Sequence, residues 1–300
     1  MKLSQRSYAY QMLKKISFAF AFIAVVAIQT PAALALTAED VSFVNIQGVR
    51  ITGKLFRTHW IGARPAVVLL HGCAGIYSFS DPARGLARLY TEWAERLTSA
   101  GYTALLVDSF TARSGLQNQC GNGSAGVSEV GDRPHDAYAA LSHLLSRKSK
   151  VVTDPNRVFL LGWSHGASSV FSSLSDTMST RKEGGFRAGF AFYPGCGLYN
   201  AFGGISTSTY VPYAPLTIFH GAIDPLYING YCQTRLRLAV EAGAIEARGN
   251  PMQMIGYSGA QHGFDNARQS SVEWTVFDVN AKSSADADVM NRLQYLTGSN

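Results

Sequence analysis

The sequence predicts an α/β fold in which helices cover both faces of a mostly parallel, doubly wound β-sheet. First, apolar runs at residues 66–72, 103–108 and 215–221 indicate strands that are covered on both faces. Second, segments with apolar residues at helical spacing, such as residues 86–101, alternate with these runs. Alternating strands and helices are typical of parallel sheets. With 300 residues, 47% apolar and 15% charged, the chain can bury a large core.

The first 35 residues predict a secretory signal peptide. Basic residues precede an uncharged apolar run of 13 residues at 16–28, and Ala33 and Ala35 then form a small-x-small cleavage site. An uncleaved membrane anchor is the alternative, but 13 residues are fewer than the ~20 needed to span the hydrocarbon core. The sequence therefore predicts an exported protein, periplasmic or secreted, with a leader over residues 1–35 and a single domain over residues 36–300.

The charge balance argues against nucleic acid as a partner. The chain has 26 Lys and Arg residues and 20 Asp and Glu residues, a net charge of +6. Four basic residues lie in the leader, so the mature chain keeps 22 basic and 20 acidic residues, a net charge of +2. No cluster of Lys and Arg with interleaved aromatic residues remains. We expect no nucleic acid partner and no stable membrane anchor after the leader is removed.

The first half of the mature chain predicts a hairpin, two buried strands and a helix. Residues 43–56 alternate in polarity on either side of a central Gln-Gly, which is typical of an antiparallel hairpin. The strand at 66–72 precedes a helix that stops at Gly101, and the strand at 103–108 follows. The polar, glycine-rich stretch 109–131 is too long for a simple connector and is expected to be a loop near the site.

The second half predicts further alternation of helices and strands. The helix after the long loop is expected to open at Asp132 and to close at Arg147, Lys148 and Lys150, whose charges suit a helix C-terminus. For the aromatic-rich stretch 197–213, a lid, a pocket wall and an ordinary surface loop all stay open. The other predicted elements are strands at 188–193, 215–221 and 252–257 and helices at 236–243 and 289–298.

A G-x-S-x-G motif around Ser164 predicts a nucleophile elbow. The apolar run 157–161 precedes it, and residues 167–174 carry apolar residues at helical spacing, so the context is strand, sharp turn and helix. Gly162 and Gly166 supply the small residues that let strand and helix approach closely. The N–H groups and dipole of the helix N-terminus would favour an oxyanion beside the serine.

Chain order selects a base and an acid for this serine. In α/β-hydrolases the acid and then the histidine follow the nucleophile, each after a later strand. His165 adjoins Ser164 and His220 lies inside a strand end, which leaves His262 after the last predicted strand. Among the intervening acidic residues only Asp224 follows a strand end, where its carboxylate can fix the imidazole tautomer. A helix N-cap role for Asp224 and a surface-loop position for His262 are the alternatives.

Two backbone amides are the candidate donors of an oxyanion hole. One is the amide of His165, next to the nucleophile. The other is expected in the loop after the first parallel strand, where glycines allow close approach to a substrate. The amide of Cys73 is favoured there, followed by that of Ala74. A nucleophilic thiol at Cys73 is a weaker alternative because it lacks the elbow context.

The cysteines predict two disulfides, since an even count in an oxidising compartment is typical of a disulfide framework. Their spacings do not match a zinc site, and no metal is expected. Four cysteines allow three connectivities, and four free thiols are a further alternative. Loops that follow neighbouring strands share one edge of the sheet, which favours pairing Cys73 with Cys120 and Cys196 with Cys232.

Four segments together give residues 40–297 a resemblance to the dienelactone hydrolase family of α/β-hydrolases. They are H-G-C-A-G at 71–75, D-S-F at 108–110 with Arg113, G-W-S-H-G at 162–166, and H-G-F-D at 262–265. The resemblance implies an α/β-hydrolase fold and hydrolysis of esters or lactones of small acids by Ser164, Asp224 and His262. The founding enzymes of the family use cysteine as the nucleophile and are cytoplasmic, whereas this chain has a serine and a leader.

The predicted function is an exported serine hydrolase that cleaves small-molecule esters through an acyl-enzyme and needs no cofactor. A peptidase or amidase on the same fold is a second hypothesis, although such enzymes normally need an anchor for peptide termini and no added propeller or anchor domain is found in the available length. A binding protein that retains the fold without activity is the third, and the intact order of the triad argues against it. Loops 109–131 and 197–213 are expected to wall a pocket for short acyl groups, C2 to about C6.

Overall fold

Eight strands and seven helices make up the described part of a computed structural model. It describes residues 36–78, 85–114, 119–120, 126–146, 149, 151–175, 184–196, 210, 212–241, 252–267 and 276–298. The strands are β1 (Ala38–Val44), β2 (Arg50–Phe56), β3 (Arg64–Leu70), β4 (Thr103–Asp108), β5 (Thr153–Trp163), β6 (Gly189–Phe192), β7 (Leu216–Gly221) and β8 (Met252–Tyr257). The helices are α1 (Arg88–Ser99), α2 (Thr111–Ser114), α3 (Arg133–Leu145), α4 (His165–Leu174), α5 (Pro225–Ile228), α6 (Tyr231–Glu241) and α7 (Val279–Thr297).

The strands form one mostly parallel sheet in the order β1-β2-β4-β3-β5-β6-β7-β8. β1 and β2 pair antiparallel, as the predicted hairpin, and β2 pairs antiparallel with β4. All other neighbours, from β4 to β8, pair parallel. The hairpin begins at Ala38 rather than at Phe43, because backbone pairing continues through polar residues that the alternation does not include. The predicted α/β-hydrolase architecture is thus confirmed.

Each face of the sheet carries its own hydrophobic core. Residues Ala66 to Leu70 of β3 are fully buried, which explains their continuous apolar run. Val68 and Leu70 belong to the core under α3 and α4, whereas Val67 and Leu69 belong to the core under α1 and α7. Residues 36–300 form one compact unit, and the predicted leader lies outside the described residues. Among the described helices, none is long and apolar enough to cross a membrane.

Two helix predictions need correction. α3 ends at Leu145 with Ser146 as its C-cap, and His143 is the basic residue of its last turn. Arg147, Lys148 and Lys150 lie outside the described residues. In α6 the buried residues are Cys232, Arg235 and Ala239, while Val240 is exposed. The disulfide of Cys232 and the buried Arg235 hold this helix against the protein. The apolar residues that predicted the helix therefore do not identify its buried face.

The parallel strands bring the predicted site residues to one edge of the sheet. The carboxyl ends of β3, β5, β7 and β8 lie at the same edge, where ligands of open α/β sheets bind. The loop with Cys73 follows β3, and Ser164 follows β5. Asp224 and His262 follow β7 and β8. Residues distant in sequence therefore converge on the end of β5.

Candidate active site

Ser164 lies in a strained turn between β5 and α4. Its φ of 50° and ψ of −113° place a non-glycine residue outside the regions that L-residues favour. A Cβ atom on Gly162 would lie 2.4 Å from the carbonyl oxygen of Gly166, and one on Gly166 would lie 2.1 Å from that of Leu70. Only glycine fits at either position. The backbone thus has the strand–turn–helix geometry that the motif predicts, with Ser164 half-buried at its apex.

Ser164, His262 and Asp224 form one hydrogen-bonded chain. His262 Nε2 lies 3.0 Å from Ser164 Oγ, and His262 Nδ1 lies 2.8 Å from Asp224 Oδ2. A carboxylate only accepts, so Nδ1–H donates to Asp224 and Nε2 is left to accept the serine proton. Asp224 is fully buried and His262 is 5% exposed. The three residues selected by chain order are therefore brought together with the orientation that proton transfer from the serine requires.

Asp224 is at once a helix cap and the partner of the histidine. Its Oδ1 accepts from the amide of Leu226 at 2.8 Å, as the N-cap of α5, while Oδ2 faces His262. Burial alone would raise the pKa of Asp224, but the neighbouring His220 and the hydrogen bond from His262 hold that pKa well below its usual range. The N-cap alternative and the triad role thus describe the same side chain.

His220, which chain order excludes as the base, is a second histidine beside Asp224. It is fully buried in β7, with Nδ1 3.3 Å from Asp224 Oδ2 and Nε2 3.1 Å from the carbonyl oxygen of Pro194. His220 thus faces the same carboxylate oxygen as His262. The available signal was the i,i+4 spacing of His220 and Asp224 across the end of the strand.

A second buried carboxylate, Asp265, lies behind the histidine. It accepts from Tyr193 Oη at 2.6 Å and from Trp163 Nε1 at 2.9 Å. Burial raises the pKa of Asp265 to about 6. The ring of Tyr193 packs against that of His262, with centroids 4.5 Å apart. The backbone φ of Tyr193 is 43°. The cluster of Trp163, Tyr193 and Asp265 thus supports one face of the imidazole.

The loop after β3 lies against the nucleophile. A Cβ on Gly72 would lie 3.8 Å from Ser164 Cβ. The amide of Gly72 donates to Tyr90 Oη at 2.9 Å, whereas the amide of Cys73 makes no hydrogen bond within the part of the chain that the structure describes. The amide of His165 belongs to the first residue of α4 and has no acceptor within the helix. Both amides are therefore free to donate, and so is that of Ala74, for which no acceptor is found among the described residues.

Both predicted disulfides are present. Cys73 pairs with Cys120 and Cys196 pairs with Cys232, with Cα–Cα distances of 4.9 Å and 5.1 Å. None of the four cysteines is free. The alternative of a nucleophilic thiol at Cys73 is therefore wrong for this state of the protein.

The predicted pocket loops are only partly described. Residues 115–118, 121–125, 197–209 and 211 lie outside the described residues. The lid alternative for the stretch 197–213 therefore also falls outside the described part of the chain. Tyr210 Oη donates to the carbonyl oxygen of Phe171, and the amide of Tyr213 donates to that of Leu174. These two tyrosines therefore pack on the last turns of α4, away from Ser164 at its start. They are structural rather than pocket-wall residues.

Arg113, the one basic side chain noted in these loops, is held by a carboxylate of α3. Its two terminal nitrogens donate to Asp136 at 2.7 Å and 2.8 Å. Its charge is thus neutralised within the protein. Among the described residues, no group of three or more His, Cys, Asp or Glu side chains is arranged to hold a metal ion.

The site consists of a serine at a strand–turn–helix elbow with a histidine and a carboxylate beside it. It lies on the carboxyl edge of a mostly parallel sheet, and this combination defines an α/β-hydrolase. The model of the dienelactone hydrolase family matches residues 51–298, so the chain belongs to this family and is a hydrolase of the esterase type. No curated protein matches the sequence significantly.

Solved structures share the fold at low sequence identity. A dienelactone hydrolase-like promiscuous phosphotriesterase, P91, from metagenomic libraries has a TM-score of 0.63 and 20% identity, covering 88% of this chain and 99% of that one. Thermogutta terrifontis esterase 2 phosphorylated by paraoxon has a TM-score of 0.58 and 17% identity, covering 87% and 94%. Porphyromonas gingivalis dipeptidyl peptidase 4 has a TM-score of 0.59 and 15% identity, covering 88% of this chain but 35% of that one.

Proposed function

We propose that the protein is an exported serine esterase that cleaves esters or lactones of small acids with Ser164, His262 and Asp224. One observation carries the proposal: the continuous hydrogen-bonded chain from Ser164 Oγ through His262 to Asp224, at 3.0 Å and 2.8 Å. This is the arrangement that activates a serine hydroxyl as a nucleophile. Membership of a family of ester and lactone hydrolases supports the reaction class.

The proposed reaction has two halves. Ser164 Oγ attacks the ester carbonyl carbon while His262 Nε2 takes its proton, and the amides of Cys73 and His165 bind the resulting oxyanion. The bond to the leaving alcohol then breaks, and His262 returns the proton to that alcohol. Water attacks the acyl-enzyme in the same way, which releases the acid and regenerates Ser164. Asp224 stays ionised and stabilises the imidazolium in each half.

Two arguments support export. The sequence of residues 1–35 has the features of a secretory leader. The two disulfides, which persist in oxidising compartments, are consistent with a periplasmic or secreted protein. Mass analysis of the exported protein tests this directly. A mature N-terminus near Leu36 is expected, and an N-terminus still at Met1 would contradict it.

Labelling with a fluorophosphonate, combined with steady-state ester hydrolysis, tests the nucleophile. Ser164→Ala is expected to abolish labelling and to lower kcat/KM by about 10⁴ or more. Ser172→Ala is the matched control, since Ser172 is a serine of α4 and, among the described residues, its Oγ donates only to the carbonyl oxygen of Ser168. The control is expected to label and to hydrolyse at the wild-type rate. Labelling that survives Ser164→Ala would contradict the proposed nucleophile.

A substrate panel tests the substrate class. We expect the highest kcat/KM for aryl or alkyl esters of about C2 to C6 acids, because each buried methylene contributes ~0.8 kcal/mol only until the pocket wall is reached. Phosphotriesters belong in the panel because the similar P91 is a promiscuous phosphotriesterase. A maximum with C12 to C16 esters would indicate a lipase. A maximum with peptide amides would indicate a peptidase.

A further inference from the structure

Arg133 carries a fully buried positive charge that the reaction scheme above does not use. It is the first residue of α3, and none of its surface is exposed. Burial lowers the pKa of Arg133 to about 10, so the guanidinium stays charged at neutral pH. No carboxylate of the described residues forms an ion pair with it, and its Nε has no hydrogen-bond partner there. Such a charge is costly to bury, so its contacts need an explanation.

Its two terminal nitrogens bind the two segments that carry the candidate oxyanion donors. Nη2 donates to the carbonyl oxygen of His71 at 2.8 Å, in the loop after β3. Nη1 lies 2.7 Å from Nδ1 of His165, the residue after the nucleophile. A guanidinium can only donate, so Nδ1 of His165 accepts and the proton of that ring is on Nε2. One rigid, planar group therefore connects the loop with Cys73 to the start of α4.

The side chain of His71 in turn orients the peptide group that joins Gly72 to Cys73. Nε2 of His71 accepts from the amide of Ser109 at 3.3 Å, so its ring proton is on Nδ1, which lies 2.7 Å from the carbonyl oxygen of Gly72. That carbonyl and the amide of Cys73 belong to the same peptide group. A hydrogen bond to the carbonyl both orients the N–H and strengthens it as a donor. Burial lowers the pKa of His71 well below its usual range, which keeps the ring in this neutral form.

We propose that Arg133 is a positioning residue for both halves of the oxyanion hole. It fixes the amides of Cys73 and His165 relative to each other, and its charge favours negative charge on the substrate oxygen in the transition state. Arg133 acts through these residues and touches no substrate. The inference rests on the proposed function, because it requires an oxyanion intermediate at Ser164.

The test compares an ester with its thionoester analogue in variants of Arg133. Sulfur is larger and a poorer hydrogen-bond acceptor than oxygen, so an intact oxyanion hole favours the ester strongly and a disordered one does so less. Arg133→Met removes both hydrogen bonds and the charge. Arg133→Lys keeps the charge but loses the planar fork that reaches two acceptors. Arg235→Lys is the control, since Arg235 is also fully buried and donates to a backbone carbonyl, that of Cys196.

We expect Arg133→Met to lower kcat for the ester by about 10²–10³-fold with little change in KM, the effect of losing an oxyanion donor. The ratio of kcat/KM for ester and thionoester should fall by roughly tenfold or more, and Arg133→Lys should lie between this variant and the wild type. Arg235→Lys is expected to lower the melting temperature while leaving the ratio unchanged. A purely structural role for Arg133 would likewise lower stability without moving the ratio.

The outcomes separate this inference from the proposed function. If the wild type hydrolyses the ester, Ser164→Ala does not, and the Arg133 variants keep the wild-type ratio, the proposed function stands and the inference is wrong. If wild type and Ser164→Ala hydrolyse the ester equally, the proposed function fails and the inference fails with it. If Arg133→Met does not fold, Arg133→Lys decides, and a wild-type kcat and ratio in that variant would overturn the inference.

Discussion

Asp265 is expected to make the folded protein less stable as the pH rises towards neutrality, and Asp265→Asn is expected to remove that dependence. The folded state holds the proton more tightly, because burial raises the pKa from about 3.8 in the unfolded chain to about 6. Protonation on acidification therefore stabilises the folded state. The difference between the two pKa values corresponds to about 3 kcal/mol of stability, of which about 1 kcal/mol develops between pH 7 and pH 5. Above about pH 6 the buried carboxylate is charged and the stabilisation is lost.

The free energy of unfolding in urea, measured at several pH values for wild type and variant, is the assay. Only the difference between the two proteins isolates Asp265, because burial lowers the pKa of His71 and His165 and these rings destabilise the protein on acidification. Asparagine lowers stability at every pH, since its NH2 group replaces one of the two oxygens that accept from Tyr193 and Trp163 and can only donate, but it does not titrate.

The expected result is that the difference in unfolding free energy between wild type and Asp265→Asn widens by about 1 kcal/mol from pH 7 to pH 5. Asp154→Asn is the control, because hydrogen bonds from the amide of Asn156 and from Arg157 hold the pKa of Asp154 below its usual range. The difference in unfolding free energy between this control variant and the wild type should stay nearly constant from pH 7 to pH 5. Parallel pH dependences for wild type and Asp265→Asn would refute the reasoning.

Three further outcomes are expected. Asp224→Asn should lower kcat/KM by about 10⁴ in ester hydrolysis, because an amide favours the wrong tautomer of His262; a loss below tenfold would contradict the triad. Replacing Cys73 and Cys120 together by serine should cost ~4 kcal/mol in urea unfolding, from the sequence separation of 47 residues, and an unchanged midpoint would count against that figure. Gly166→Ala should abolish soluble folded protein, since the added Cβ would lie 2.1 Å from a backbone oxygen of β3; a wild-type melting temperature would show that the elbow can relax.

Local patterns were sufficient to predict the sheet and the three residues aligned at Ser164. β3 and β4 are buried on both faces, so their composition alone identifies them as strands. Chain order then placed His262 and Asp224, because each must follow a later strand of the same parallel sheet. The disulfides followed from the same topology. These features depend on the order of elements, which a sequence records directly.

Features that depend on distant side chains were not predictable in this way. Arg133 resembles any basic residue at a helix start, and only the packing of α3 under the loop of His71 buries it. His220 was excluded as a base, yet its position in β7 brings it to Asp224. Asp265 entered only as the last residue of a short motif. For Arg133 and Asp265, burial decides the role of the side chain, and no local pattern in the sequence signals it. For His220 the local signal is its i,i+4 spacing from Asp224.

The two disulfides join cysteines that are consecutive in the chain: first with second, and third with fourth. A chain that emerges from a membrane channel with its N-terminus first therefore presents each pair in turn. The first bridge can close before the third cysteine appears, and neither bridge has to be broken and exchanged to reach the native pairing. Oxidation would thus need a thiol oxidant but no isomerase. In a chain exported in this way, β5, the strand that leads to the nucleophile, would emerge after the first pair and before the second.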